Sequence, residues 1–386
     1  RPVLVGRTNS TDFPTTDGAF ARTCAGGTDG FAAKLSTDGS TVVWSTYLGG
    51  SVFDTANLVV MAPGDRPLIS GTTTSSNFPV TEGTVGPANS GAADAFLVRL
   101  TEDAAALELG TYLGGWYNEE NNGLALLPDG RIVLAGMTAS PNFPVTPGAY
   151  DTEYADLGDV FVTELDPQAR TVLWSTYLGG ADLDVAMPVT VDAQGCLLVT
   201  GETSSPDFPT TADAFDRTYA GARDIFVCRL DPTGSGLLWS TFAGGSQWES
   251  GWDLEIDSAG GVQIAGATRS TDFPTTPGAY DRTYGGGEED SYLMRFIIPA
   301  ASAVPPPRAD REIAPDPRVV VCPNPFNSSL SFEAPGASFA HVRLVDVLGR
   351  TVTSAEAGSL IRQGDSWLWQ VADRGQIGRA SCRERV

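Results

Sequence analysis

Apolar runs of strand length alternate with polar connections carrying Gly and Pro along most of the chain. Val189-Thr190-Val191, a turn at Ala193-Gln194-Gly195 and the run Cys196 to Thr200 read as one hairpin. Ile225 to Leu230 and Leu237 to Phe242 read as a second, joined through Asp231-Pro232-Thr233-Gly234. In that turn Pro fixes φ and Gly supplies the positive φ of a tight reversal. Between the hairpins, Ser204 to Arg223 is too polar and too often broken by Gly and Pro for a strand, and reads as a loop. The pattern predicts units of four strands with a long insert between the second and third.

These units repeat. Phe-Pro recurs at Phe13, Phe78, Phe143, Phe208 and Phe273, each 65 residues after the last. The string Trp44-Ser45-Thr46-Tyr47-Leu48-Gly49-Gly50 returns in the same register at Leu109 to Gly115, Trp174 to Gly180 and Trp239 to Gly245. Asp29-Gly30-Phe31 returns at Asp94, Asp159 and Asp224, then slips by one residue to Asp290-Ser291-Tyr292. One four-stranded unit has two apolar faces and cannot bury both alone, so units must stack. Radial stacking, which leaves only short protected edges, gives a β-propeller. A linear β-solenoid is the alternative, but its repeats are much shorter. Residues 1–50 start at a second strand, Val3-Leu4-Val5-Gly6, and no Trp-Ser-Thr-Tyr strand follows Tyr292 to Ile297. The expectation is therefore an open arc over residues 1–300 with five blades, the two terminal ones incomplete.

Composition supports the all-β class: 44 Gly and 26 Pro in 386 residues suit many short strands joined by tight turns. No apolar run is long enough for a membrane span, and a start at Arg1-Pro2-Val3 without Met reads as truncated. The net charge is −23, and its excess lies in residues 1–300, with 38 acidic against 14 basic residues. Such a surface repels nucleic acid and anionic lipid and favours cations. The five cysteines form no CxxC pair and occupy no repeat position, which indicates neither a zinc site nor a disulfide framework.

Catalytic chemistry is sparse. The single histidine, His341, falls outside the repeats, so they offer no Ser-His-Asp triad and no imidazole base or ligand. The single lysine, Lys34, sits inside a strand, and no phosphate-binding Gly-x-x-x-x-Gly-Lys loop exists. Ser36 to Thr41 has the look of an Asp-box turn but the wrong Gly and Trp spacing, and reads as an Asp-Gly hairpin turn. Tyr47, Tyr112, Tyr177 and Phe242 recur once per unit, suiting packing between neighbouring units or, alternatively, a sugar-stacking platform. Four residues after each Gly-Gly an acid recurs: Asp54, Glu119, Asp184 and Glu249. Two readings stand for these four. They could ring one mouth of a central channel and hold a hard cation such as calcium, or each could accept hydrogen bonds from its own turn. A pair of them acting in glycoside hydrolysis is the enzymatic alternative.

The string Asp-x-Phe-Val-x-(Arg/Glu)-Leu, then Trp-Ser-Thr-Tyr-Leu-Gly-Gly, then Thr200-Gly201, then Ser204-Ser205-Pro206-Asp207-Phe208-Pro209-Thr210-Thr211 resembles the bacterial SBBP (seven-bladed β-propeller) repeat family over residues 1 to about 298. That resemblance implies a propeller in an extracytoplasmic setting, with no assigned reaction. After a Pro-rich linker (301–317), the segment 318–376 carries Pro323-Asn324-Pro325-Phe326-Asn327, Leu330-Ser331-Phe332 and Val342 to Arg350. It resembles the C-terminal sorting domain of type IX secretion substrates, a small Ig-like sandwich, here without the terminal Gly-x-Tyr strand; the same features also resemble purely structural Ig-like tails. The resemblance implies the type IX secretion machinery as a partner and the outer surface or medium of a Gram-negative bacterium as the location. The final stretch 377–386, IGRASCRERV, resembles a translated sequencing adapter and is set apart from the fold. Together these readings predict a secreted or cell-surface binding or scaffold module for an extracellular protein or polysaccharide, with an extracellular carbohydrate-active enzyme as the alternative.

Overall fold

A residue pattern of period two between tight turns leaves the chain little choice but to pair with itself as antiparallel hairpins. The computed structural model describes residues 1–298 and, past them, four short strands; the described residues hold strands and turns but no helix. Two compact units result, Arg1–Asp310 and Arg311–Val386.

The first unit contains five antiparallel sheets whose strands lie in chain order. Sheet 1 is β1 (Val3–Thr8), β2 (Asp29–Leu35) and β3 (Val42–Leu48); sheet 2 is β4 (Asp54–Ala62), β5 (Arg66–Thr73), β6 (Asp94–Leu100) and β7 (Leu107–Leu113). Sheet 3 is β8 (Glu119–Leu126), β9 (Ile132–Thr138), β10 (Asp159–Leu165) and β11 (Val172–Leu178). Sheet 4 is β12 (Asp184–Val191), β13 (Leu197–Thr203), β14 (Asp224–Leu230) and β15 (Leu237–Ala243); sheet 5 is β16 (Glu249–Ile256), β17 (Val262–Thr268) and β18 (Asp290–Phe296). The three complete sheets have four strands, and the insert falls between the second and third strands as the sequence predicts. Each of β4, β8, β12 and β16 carries a register shift near its middle, at Ala56/Leu58, Asn121/Gly123, Ala186/Val189 and Gly251/Asp253. Such bulges bend and twist the strand that carries them.

Successive sheets pack through these first strands, β4 on β8, β8 on β12 and β12 on β16. Segments of all four line one concave space of about 940 Å³, with Leu58, Leu124, Val189 and Leu254 among its walls. The core lies between sheets: Ala32, Trp44 and Leu48 of sheet 1 are buried with Phe96, Val98 and Leu100 of sheet 2. A backbone hydrogen bond also runs from the insert of each of sheets 1, 2 and 3 to the turn between the last two strands of the next sheet. The three are Phe20 N–H to Ala104 O (2.8 Å), Val85 N–H to Ala169 O (2.9 Å) and Tyr150 N–H to Gly234 O (2.8 Å).

The three sequence landmarks meet as one aromatic cluster in each complete sheet. Phe143 of the Phe-Pro motif lies 4.7 Å, ring centre to ring centre, from Phe161 and 6.3 Å from Tyr177. Phe78 lies 4.3 Å from Phe96 and 6.1 Å from Tyr112. The tyrosine hydroxyls anchor the insert, Tyr177 donating to Ser140 O at 2.8 Å and Tyr112 to Ser75 O at 2.7 Å. Tyr47, Tyr112, Tyr177 and Phe242 are at most 2% exposed. They are packing residues, and a sugar cannot reach their faces. Beneath the Phe161 ring, Gly136 leaves the space that a methyl would occupy 1.9 Å from Glu120 O.

The Asp-Gly turn at Ser36 to Thr41 closes as an ordinary hairpin connection: Ser36 N–H donates to Thr41 O at 2.9 Å, and Gly39 has φ 73°. In the second unit, β19 (Val320–Val321), β20 (Ser331–Glu333), β21 (Ser359–Gln363) and β22 (Ser366–Gln370) form an antiparallel sheet ordered β19-β20-β22-β21. The run Val342 to Arg350, the linker 301–317, His341 and the stretch 377–386 lie outside the described residues.

Tyr177→Phe should cost about 1–3 kcal/mol in urea unfolding followed by tryptophan fluorescence, because it strips a buried carbonyl of its donor. Gly136→Ala should cost at least as much, about 3 kcal/mol, because backbone rather than a flexible side chain blocks the added methyl. Unchanged unfolding midpoints would show that the aromatic cluster does not hold the insert.

Candidate functional site

The most chemically loaded place in each repeat is the junction where the fourth strand of one sheet passes through Gly-Gly into the first strand of the next. The acid four residues on is the first residue of that strand, and Asp54, Glu119, Asp184 and Glu249 are all 0% exposed. Burying a carboxylate is costly unless donors meet its oxygens, and here the sheet itself supplies them. Asp54 accepts the Gly50 N–H at 2.7 Å, the Ser75 hydroxyl at 2.9 Å and the Thr73 hydroxyl. Glu119 accepts Gly115 N–H at 2.9 Å and the Thr138 hydroxyl at 2.7 Å. Asp184 accepts Gly180 N–H at 2.6 Å and the Ser205 hydroxyl at 2.9 Å. Glu249 accepts Gly245 N–H at 2.9 Å and the Thr268 hydroxyl at 2.7 Å.

A second acid, which the spacing did not single out, completes each junction. It is the Asp that opens the next-to-last strand of the preceding sheet: Asp29, Asp94, Asp159 or Asp224, each no more than 1% exposed. Asp29 accepts Ala25 N–H at 2.7 Å, Asp94 accepts Ser90 N–H at 2.7 Å, and Asp224 accepts Ala220 N–H at 2.9 Å, so each also clamps the end of its own insert. The two carboxylates flank the first glycine of Gly-Gly. A methyl on Gly114 would lie 2.5 Å from Glu119 Oε2 and 2.6 Å from Asp94 Oδ1; one on Gly244 would lie 2.7 Å from both Asp224 Oδ1 and Glu249 Oε2. Only a glycine fits between them. The signal for this second acid was in the sequence, as the Asp of the Asp-x-Phe landmark recurring with the same period.

The electrostatics follow from this sealing. Burial pushes the carboxyls of Asp94, Asp184 and Asp224 up to about 6, with the charge of Glu119 adding to the rise at Asp94 and that of Glu249 at Asp224. Burial likewise raises Asp54 and Glu119, against the pull of their hydrogen bonds. Calcium takes six to eight oxygens at about 2.4 Å. Among the described residues no group of three or more His, Cys, Asp or Glu side chains is placed to hold a metal ion. The four acids named from the sequence are thus distributed one per junction, each engaged by donors of its own sheet, which is the geometry of local turn acceptors.

Between Gly-Gly and the acid stand three residues whose combination changes from repeat to repeat: Ser51-Val52-Phe53, Trp116-Tyr117-Asn118, Ala181-Asp182-Leu183 and Ser246-Gln247-Trp248. Side chains of the following turn hold their backbones in one way throughout. The first N–H donates to Asn77, Asn142, Asp207 or Asp272 at 2.8–2.9 Å. The second donates to the hydroxyl of Ser75, Ser140, Ser205 or Ser270, also at 2.8–2.9 Å. The first two residues of each triplet are exposed. Each junction is therefore a fixed mount whose carried side chains vary.

No known family profile matches the chain, and a search of curated proteins found no match either.

The raised carboxyls set a pH dependence. A folded-state pKa near 6 against an ordinary 3.8 means that the folded chain binds more protons between about pH 4 and 6. Stability should therefore fall as pH rises through that window and level off above it, by up to about 3 kcal/mol per carboxyl. Below about pH 4 the trend should reverse, as exposed acids held low by hydrogen bonds, such as Asp38 at about 2, become protonated. Melting temperature measured from pH 7.5 to 5 should rise, and Asp94→Asn with Asp224→Asn should flatten that rise. An identical slope in the double variant would assign the effect to general charge repulsion.

Proposed function

We propose that this chain is a secreted or surface-displayed β-propeller of the SBBP type that acts as a non-catalytic binding or scaffold module. The single observation that carries this reading is the division of labour at the junctions. The acids are sealed and spent on structure, while the residues that vary between repeats are exposed on a constant backbone mount. An enzyme needs reacting groups open to substrate, whereas a recognition module needs varied side chains on a rigid support. The radial arrangement draws support from the four first strands that border one space and from the bulge each carries. The described residues contain no helix long and apolar enough to cross a membrane. Export rests on the resemblance of residues 318–376 to type IX sorting domains, and it makes the type IX machinery and an extracellular polysaccharide or protein the partners.

Two measurements test this. In the organism that makes it, the protein should be recovered from the medium or be degraded by protease added to intact cells; confinement to the cytoplasm would overturn the export reading. Incubated with soluble polysaccharides, the purified chain should release no new reducing ends. Release that Asp94→Asn or Glu119→Gln abolishes would instead establish the carbohydrate-active enzyme.

A further inference from the structure

We infer that the triplet Trp116-Tyr117-Asn118 is a recognition site for a neutral polysaccharide, a reading that rests on the binding-module function and names its ligand class. Across the four triplets, four of twelve residues are aromatic (Phe53, Trp116, Tyr117, Trp248) and one, Asp182, is charged, against 9% and 18% in the whole chain. An aromatic-rich set of positions with a single charge thus stands on a unit whose residues 1–300 carry 38 acids and 14 bases.

The four triplets are not equivalent. Trp248 is half-buried, and the Arg269 guanidinium lies 4.9 Å from its ring centre; Phe53 is half-buried with Arg7 at 5.7 Å. These two rings already have partners. Trp116 is 66% exposed and Tyr117 56%, although their backbone N–H groups are fixed at 2.9 Å by Asn142 and 2.8 Å by Ser140. Two neighbouring rings held in the open by a rigid mount expose apolar surface that a soluble fold otherwise covers. Because their backbone is already ordered, binding there costs little further entropy.

Charge selects the ligand class. A polyanion is repelled by the acidic unit, and a polycation would be drawn to the carboxylates rather than to a neutral aromatic pair. A pyranose chain fits what is offered. Its C–H faces lie flat on indole and phenol rings, and its rim of hydroxyls suits exposed polar groups such as the Asn118 amide and Glu120 carboxylate, which follow the rings in the chain. Its attraction owes nothing to net charge and so should not respond to salt.

The test is electrophoresis of the full chain in native gels cast with xyloglucan, galactomannan or mixed-linkage β-glucan, with alginate as the anionic comparison. At least one neutral polymer should retard the chain and alginate should not, and retardation should be the same at low and high salt. Trp116→Ala with Tyr117→Ala should weaken that binding by about tenfold or more, which corresponds to at least about 1.4 kcal/mol. Trp116→Phe, which keeps a ring on the mount, should weaken it less, and its unfolding midpoint checks that the fold is intact. Lack of retardation by any of the three neutral polymers, equal binding by the double alanine variant, or binding abolished by salt would each overturn the inference. The binding-module reading fails separately, on release of reducing ends or on a cytoplasmic location.

Discussion

Everything in the repeated unit depends on two carboxylates being closed into each sheet junction with a glycine between them. Charge in such a place is tolerated only if surrounding N–H and O–H groups converge on it. That demand reaches a long way through the sequence. It fixes the Gly-Gly, the Thr that ends the second strand and the Ser two residues later. It also ties the last residues of the insert to the Asp of the third strand. A carboxylate with several donors from separate segments acts as a local clamp on the loop ends that meet at the junction. The aromatic cluster does the complementary task at the other end of the insert, where tyrosine hydroxyls and stacked rings hold the Phe-Pro motif. Between clamp and cluster the insert has little freedom, although it contains no regular structure.

Much of this was legible in the chain because the determinants are periodic. Hydrophobic alternation and turn chemistry place the strands of the complete units and the insert between the second and third strands, and a period of 65 residues identifies the sheets as copies. Two things were hidden. The meeting of Phe143, Phe161 and Tyr177 joins residues from three elements, and a one-dimensional period does not say that landmarks at different phases touch. The pairing of Asp94 with Glu119 was hidden for the same reason: the two acids are 25 residues apart and belong to different sheets. Spacing suggested the recurring acids as a candidate ring. Their burial, which depends on what the neighbouring turns donate, is a property of the folded junction that the spacing cannot supply. The displayed triplets carry no periodic signal, because their side chains change from repeat to repeat while the mount beneath them stays the same.

The separation of frame from cargo has an energetic meaning. The hydrogen bonds shared by all four triplets use their backbone, so the frame accepts different side chains from repeat to repeat, apart from proline at the donating positions. Stability and recognition are then carried by different residues, which relaxes the usual conflict between a well-ordered fold and a strained or exposed functional site.

The backbone bonds from each insert to the next sheet give the chain a direction in time. Phe20 waits for Ala104, Val85 for Ala169 and Tyr150 for Gly234, and each acceptor lies 84 residues downstream of its donor. A sheet emerging during synthesis can form its hairpins and the bonds to its own insert as soon as they are made, but the insert lacks this last bond until the following repeat has been translated through its last turn. Maturation of the array therefore trails synthesis by more than one full repeat, each newly made sheet fastening the loop of the one before it.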